Sequence, residues 1–393
     1  MRHPLVIDSH YALGMTVAIG AAAIICGLAI AFQLGSIVIA IVRCRLPTRH
    51  LPPPADAPPI TIIRPVCGLD NFVEATLRST FTLDYPRYEI LLCAASARDP
   101  VIGLVQSLIN EHPQVLAKLL IGNERISANP KLNNVLKGWR AATHERIVMT
   151  DSNVLLPRDY LQRLLATWQN DTGVVSAPPI GGRPLGFWAQ MECVFLNTYQ
   201  ARWQYVADSI GLGFAQGKTL FYRRSDIEAA GGLRALAAEA AEDAATTKII
   251  RASGKRVRLV DAPFEQPLGE RVRADVWDRQ VRWARLRRDS FRFFYCLELG
   301  AGIVLPLAAV IFLAIATGHS VIAASVFLVG AWYGAEMLLA AAAGWHLPLL
   351  YPLHAMLRDF MLPVLWFEGW SEAGFVWRGN TMSVDEEDQV KPA

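Results

Sequence analysis

Three short stretches of this chain carry residues whose types and spacing could do chemistry. The first is Arg279-Gln280-Val281-Arg282-Trp283. In a helix, Arg279 and Trp283 are four apart and Arg282 is three beyond Arg279, so two guanidinium groups and an indole share one face. Such a face suits a phosphate-bearing ligand, because arginine offers a planar fork of donors and tryptophan a flat surface for a sugar ring or a cation. A basic amphipathic helix lying on a membrane has the same pattern. The second stretch is Glu242-Asp243, in an Ala-rich helical pattern. A carboxylate beside a sugar-acceptor hydroxyl removes its proton as the anomeric carbon is attacked; a solvated acidic pair on a helix is the plain alternative. The third is Asp151-Ser152-Asn153, directly after the apolar run Ile147-Val148-Met149-Thr150. A carboxylate at a strand end suits a hard divalent cation that bridges a diphosphate, and a turn or helix cap would use the same residues.

Smaller signals surround these. In Asn129-Pro130-Lys131-Leu132-Asn133-Asn134 the lysine could meet a phosphate and the amides a base edge, or the segment is a helix start with proline at an early position. Gly211 to Lys218 is glycine-rich without the spacing of a phosphate loop, and reads as a mobile loop that could cover a substrate. From Arg271 to Arg292, eight arginines stand against Asp275, Asp278 and Asp289, interleaved with Trp277, Trp283 and Phe291. A helix of that kind could hold anionic head groups and a diphosphate together.

The elements that must position these residues follow from periodicity. Residues 60–270 alternate short apolar runs with amphipathic helical patterns, the mark of a mainly parallel sheet covered by helices. Strands are predicted at Ile60 to Val66, Glu89 to Ala95, Lys118 to Gly122, Arg146 to Asp151, Gly173 to Ala177, Thr219 to Arg223 and Arg256 to Val260. Helices are predicted at Val73 to Thr80, Pro100 to Glu111, Lys131 to Ala142, Arg158 to Trp168 and Glu239 to Ala252. In such sheets ligands sit beyond the carboxyl ends of the strands, where Asp151 falls.

Composition places this domain at a membrane. Of 393 residues, 53% are apolar and only 19% charged, above the soluble range, and the apolar excess lies at the two ends. Tyr11 to Val42 is uncharged and long enough to cross a bilayer, and too long for a signal-peptide core. Arg43, Arg45 and Arg49 follow it, which puts the next domain on the cytosolic side and residues 1–10 outside. Residues 43–59 are a basic, proline-rich linker. After an amphipathic helix over 271–294, residues 295–344 supply two more spans, Tyr295 to Thr317 and Ser320 to Ala343. Residues 345–370 are apolar but interrupted by Pro348, Pro352, Arg358, Asp359 and Pro363, and are interfacial, re-entrant or a further span. Residues 371–393 form a solvated tail. A net charge of +3 gives no ground for a nucleic-acid partner, and six cysteines without metal-ligand spacing point away from a zinc site and toward a reduced compartment.

The order of these motifs resembles the ceramide glucosyltransferase family, over about Ile60 to Trp377. The likeness includes Ile63-Arg64-Pro65-Val66-Cys67-Gly68-Leu69-Asp70, Leu83-Asp84-Tyr85-Pro86-Arg87-Tyr88-Glu89, Asn129-Pro130-Lys131, Asp151-Ser152, Gly231-Gly232, Glu242-Asp243 and the (R/Q)xxRW motif at Arg279, Arg282 and Trp283. Single motifs are weak; their order and spacing are specific. The resemblance implies an α/β GT-A catalytic domain on the cytosolic face, with one N-terminal and two to three C-terminal membrane helices, in a bacterial inner membrane. It implies inverting transfer of a sugar, glucose in the first instance, from a UDP-sugar to the primary hydroxyl of ceramide or a similar lipid. Asp243 would be the base. Pro65, Asp99, Lys131, Asp151, Arg279, Arg282 and Trp283 would serve the donor, Asp151 with a Mg²⁺ or Mn²⁺ ion. Gln200, Glu242 and Trp283 would line the acceptor side. Where the family has an aspartate after its second strand this chain has Ser96, with Asp99 three positions later, and a histidine common in animal members is matched by Gln200. Two other functions remain: transfer to another bacterial lipid such as a hopanoid or diacylglycerol, and a catalytically impaired membrane protein that binds nucleotide-sugar or lipid.

Overall fold

The computed structural model describes residues 4–44, 50–371, 374–377 and 380–383. Arg45, Arg49 and the acidic tail at Asp385 to Asp388 lie outside them. In chain order the elements are α1 (Pro4–Cys44), β1 (Ile60–Val66), α2 (Val73–Arg78), β2 (Tyr88–Ala94), α3 (Val101–Glu111), β3 (Leu116–Ile121), α4 (Pro130–Ala141), β4 (Arg146–Thr150), α5 (Tyr160–Thr167), β5 (Thr172–Ser176), β6 (Pro179–Leu185) and α6 (Phe187–Val194). There follow α7 (Arg202–Ser209), β7 (Thr219–Arg223), α8 (Arg224–Ala229), α9 (Glu242–Ala252), β8 (Arg256–Leu259), β9 (Phe264–Glu270), α10 (Arg273–Ser290), α11 (Arg292–Leu297), α12 (Val304–Thr317), α13 (Val321–Ala343) and α14 (Tyr351–Ser371).

Seven strands form one sheet in the order β3-β2-β1-β4-β7-β5-β8. Their side chains alternate between two cores: Ile62, Val148, Phe221 and Val175 face one layer, while Ile63, Met149, Leu220 and Val174 face the other. Burial on both faces explains the near-continuous apolar runs. The neighbours β1, β2, β3 and β4 run parallel as expected, but β7 runs antiparallel to both β4 and β5. The pairing Thr150↔Thr219 therefore sets the entry of β7 beside the exit of β4, which brings Lys218 to Asp151. A second, two-stranded parallel sheet, β6 with β9, was not predicted. Its strands contain Pro179, Gly181, Gly182, Pro184, Pro267 and Gly269, residues that suppress a strand signal.

Among the described residues, three helices are long and apolar enough to cross a membrane: Leu13–Cys44, Arg292–Thr317 and Val321–Ala343. The second is interrupted by a 3₁₀ turn at Glu298–Gly300, so the regular helix α12 has only 14 residues. Residues 345–370 give one helix, α14, that packs against α10 and α6. The bundle is fastened to the α/β domain by a buried polar network. Glu336 on α13 receives Arg358 of α14 at 3.1 Å, Arg202 of α7 at 3.3 Å and Gln33 of α1 at 3.2 Å. Asp359 receives Arg358 and the Ile303 backbone N–H at 2.8 and 3.0 Å. Each buried charge is thus paired, as a low-dielectric setting requires. Next to it, Phe195–Ala201 forms a π-helical stretch between α6 and α7.

Candidate active site

The site is assembled from four segment ends. The strand β4 stops at Thr150, and Asp151 follows at the sheet's carboxyl edge. Its turn is fixed from below by Arg64 of β1, fully buried, whose guanidinium donates to the carbonyls of Asp151 at 3.0 Å and Val154 at 2.5 Å, to Thr76 O at 2.6 Å, and to Thr80. Burial, opposed by Tyr160 and Asp151, pushes Arg64 down to about 10. Opposite, α4 begins at Pro130, with the Asn129 side chain accepting from the N–H groups of Lys131 and Leu132 at 2.9 and 3.3 Å. The helix-start reading of this segment is therefore correct, and the start also delivers Lys131 into the site.

Lys131 Nζ lies 2.7 Å from Asp151 Oδ1 and 2.6 Å from Glu242 Oε1, and donates to Gly217 O at 2.6 Å. Asn129 Nδ2 holds the other Glu242 oxygen at 2.8 Å. Glu242-Asp243 opens α9, and Glu242 is buried, so the pair is not a solvated surface feature. Gly217 donates its N–H to Asp243 Oδ2 at 2.8 Å. Lys218 Nζ reaches Asp151 Oδ2 at 2.8 Å and Asn153 Oδ1 at 2.9 Å. The segment expected to be a mobile cover is, at this end, part of the site floor: Ser176 Oγ accepts from Gln216 N and donates to Thr219 O.

These contacts set the charges. Burial acts to raise Asp151, but Lys131 and Lys218 overcome it and hold its carboxyl well below the usual range. Burial likewise acts to lower Lys131, and Asp151 and Glu242 raise it instead. Lys218 is pushed down to about 8 by burial, against the pull of Asp151 and with the push of the nearby Arg279. Asp243 is raised to about 6 by burial and by the neighbouring Glu242. A carboxylate tuned in that direction suits proton abstraction near neutral pH.

The α10 residues share a face as predicted, with Arg279 Cζ 4.5 Å from the Trp283 ring centroid. Several arginines of α10 have partners within the protein. Arg279 pairs with the buried Glu192 and donates to Gln266 at 3.2 Å. Arg287 pairs with Glu298 at 2.7 Å, Arg288 donates to Gly369 O at 2.9 Å, and Arg285 is buried. Pro65 lies on β1 two positions past the Ile63↔Met149 pairing, hence level with Asp151. Asp99 accepts through Oδ1 from Gly68 N at 2.8 Å and Val101 N at 3.0 Å, pinning the β1 exit to the start of α3. Gln200 sits in the π-helical stretch and donates to Gln280 at 3.0 Å. No described contact joins Asp99 or Gln200 to the lysine–carboxylate cluster. Arg64 and Lys218 are the residues that sequence reasoning missed as site residues; the antiparallel placement of β7, which seats Lys218, has no sequence signal.

The expected divalent cation does not fit this donor set. Both oxygens of Asp151 already receive ammonium groups, Asn153 offers an amide that is bonded to Lys218, and Glu242 is taken by Lys131 and Asn129. Among the described residues, no group of three or more His, Cys, Asp or Glu side chains is arranged to hold a metal.

Residues 28–390 match the family described as glycosyl transferase family 21. The chain belongs to that family. Among curated proteins, this family 21 chain is similar to ceramide glucosyltransferase 1 of Caenorhabditis elegans, 28% identical over 60% of this chain and 51% of the relative. It is 31% identical to a ceramide glucosyltransferase of Komagataella phaffii over 46% of this chain and 40% of the relative. It thus spans about half the length, or less, of the curated relatives it matches. Among solved structures, a mannosyltransferase of Pyrobaculum calidifontis in complex with GDP-mannose and Mn²⁺ superposes with a TM-score of 0.50 at 19% identity, covering 86% of this chain and 99% of that one. The α/β domain has the GT-A fold expected from the sequence.

Proposed function

We propose that this family 21 protein transfers a sugar, glucose, from a UDP-sugar to the primary hydroxyl of ceramide or a similar membrane lipid, with inversion, at the cytosolic face of a bacterial inner membrane. The observation that carries the reading is the cluster at the exit of β4. Lys131 ties the strand-end Asp151 to Glu242, and so brings Asp243, raised to about 6, to the edge of the sheet where such folds bind ligands. The curated relatives named as ceramide glucosyltransferases support the lipid acceptor and glucose.

In this reading the acceptor hydroxyl gives its proton to Asp243 as its oxygen attacks the anomeric carbon. The bond from that carbon to the diphosphate breaks, and its electron pair stays on the departing β-phosphate oxygen. One in-line displacement needs no covalent enzyme intermediate. Fixed cationic groups around the diphosphate lower the barrier because they are already oriented when charge develops. Arg279, Arg282 and Trp283 serve the diphosphate from α10, and this helix runs into Arg292–Thr317, so the acceptor arrives from the bilayer beside it. Arg43, at the end of α1, supports a cytosolic domain by the positive-inside rule.

The test is incubation of the purified protein with labelled UDP-glucose, UDP-galactose, UDP-glucuronate and UDP-N-acetylglucosamine against ceramide, hopanoid and diacylglycerol vesicles. Labelled ceramide from UDP-glucose is the expected result. Product with hopanoid or diacylglycerol alone redirects the acceptor, and the absence of product with every lipid and every donor overturns transfer.

A further inference from the structure

Two ammonium groups flank the carboxylate at the exit of β4, and they are not equivalent. Lys131 Nζ has three acceptors, Asp151 Oδ1, Glu242 Oε1 and Gly217 O, all within 2.7 Å. That uses every N–H of a lysine ammonium. Lys218 Nζ has two, Asp151 Oδ2 and Asn153 Oδ1, which leaves one N–H without an acceptor among the described residues. Its side chain keeps 14% of its surface open. Together the two ammonium groups carry the charge of one divalent cation, and they occupy the two oxygens of Asp151, the carboxylate assigned to that cation. Arg279 adds a third positive group close to Lys218.

Resting on the transfer reading above, we infer that Lys218 donates its remaining N–H to the departing diphosphate, supplies there the positive charge a divalent cation would otherwise supply, and makes transfer independent of added metal. The atoms balance without a metal. The acceptor oxygen bonds to the anomeric carbon, its proton passes to Asp243, and the electron pair of the broken bond rests on the β-phosphate oxygen facing Lys218. The lysine keeps its proton and acts as a fixed hydrogen-bond donor. A preorganised donor of this kind contributes about 100-fold to turnover.

The experiment uses the full chain in lipid nanodiscs with two readouts, lipid product and UDP binding by calorimetry, each measured in excess EDTA and in excess MnCl₂. The expected results are equal transfer under both conditions and UDP binding that EDTA leaves unchanged. Lys218→Met lowers turnover about 100-fold in either buffer and weakens UDP binding; Lys218→Arg, which keeps a cation on Asp151, recovers part of the loss. Transfer or UDP binding that EDTA removes and Mn²⁺ restores overturns the inference. So does a Lys218→Met protein that is folded and fully active. If no lipid product forms under any condition, the transfer reading fails by itself, and UDP binding still decides: retained in EDTA and weakened by Lys218→Met, it supports the lysine assignment, while binding under neither condition overturns both.

Discussion

The backbone N–H of Gly217 donates to Asp243 Oδ2 at 2.8 Å, so the residue at the head of β7 orients the carboxylate proposed as the base. A Cβ at Gly217 would lie 2.8 Å from Glu242 Oε1, 3.3 Å from Lys131 Nζ and 3.4 Å from Asp243 Oδ2. The close approach requires glycine for space, not for backbone conformation. Gly217→Ala is predicted to displace these groups, lowering turnover about 10- to 100-fold and costing about 1–3 kcal/mol of stability. Kinetics with the identified donor, alongside thermal unfolding, check both; an active, stable Gly217→Ala protein would show that the cluster is not the site.

Asp243→Asn keeps an acceptor for Gly217 but removes the base. Turnover is predicted to fall about 1,000-fold, with donor binding within about a factor of ten of wild type. In the wild type, kcat/KM should fall as pH drops through about 6, where Asp243 takes up its proton. The stability sign is the reverse of the activity sign. Folding raises this acid above its ordinary 3.8, so its ionised form weakens the fold above about 6 and the penalty fades as pH falls toward 3.8. The Asn variant, which does not ionise, should therefore melt no lower than wild type at mildly alkaline pH. A markedly lower midpoint would mean that lost activity reports lost structure.

Arg279→Lys replaces a fork by a point charge. It gives up the paired contacts to Glu192 and Gln266 and the stacking on Trp283. The KM for the donor is predicted to rise about tenfold. An unchanged KM would assign Arg279 to structure alone.

Arg64→Met leaves the carbonyls of Asp151, Val154 and Thr76 without their buried donor. Each unsatisfied group costs about 1–3 kcal/mol, so the variant should be destabilised by at least about 2 kcal/mol. Thermal unfolding in detergent measures it, and a midpoint equal to wild type would show that water replaces the guanidinium at no cost.

Much of this was legible in the sequence, for physical reasons. The strands Ile60–Val66 and Thr219–Arg223 lie at the predicted bounds, and the other five predicted strands are shifted by at most two residues. In the strands away from the sheet edges both faces are buried, so the apolar signal is continuous and ends sharply. Direction is a different matter: an apolar run carries no sign for parallel or antiparallel pairing, and the reversed β7 is what sets Lys218 against Asp151. Side-chain pairing was equally hidden. Eight arginines from Arg271 to Arg292 suggest a lipid-facing helix, yet Arg279 and Arg287 find Glu192 and Glu298, partners that only the fold brings near. Asp99 was legible as a carboxylate after a strand, but not as one already engaged by Gly68 and Val101.

The most direct measurement is the anomeric configuration of the lipid product formed by the full-length protein from UDP-glucose, an α-linked donor, and ceramide vesicles. Attack assisted by Asp243 on the face opposite the diphosphate predicts a single β-linked glucosylceramide by proton NMR of the extracted lipid. An α-linked product, or no glycolipid at all, would contradict it.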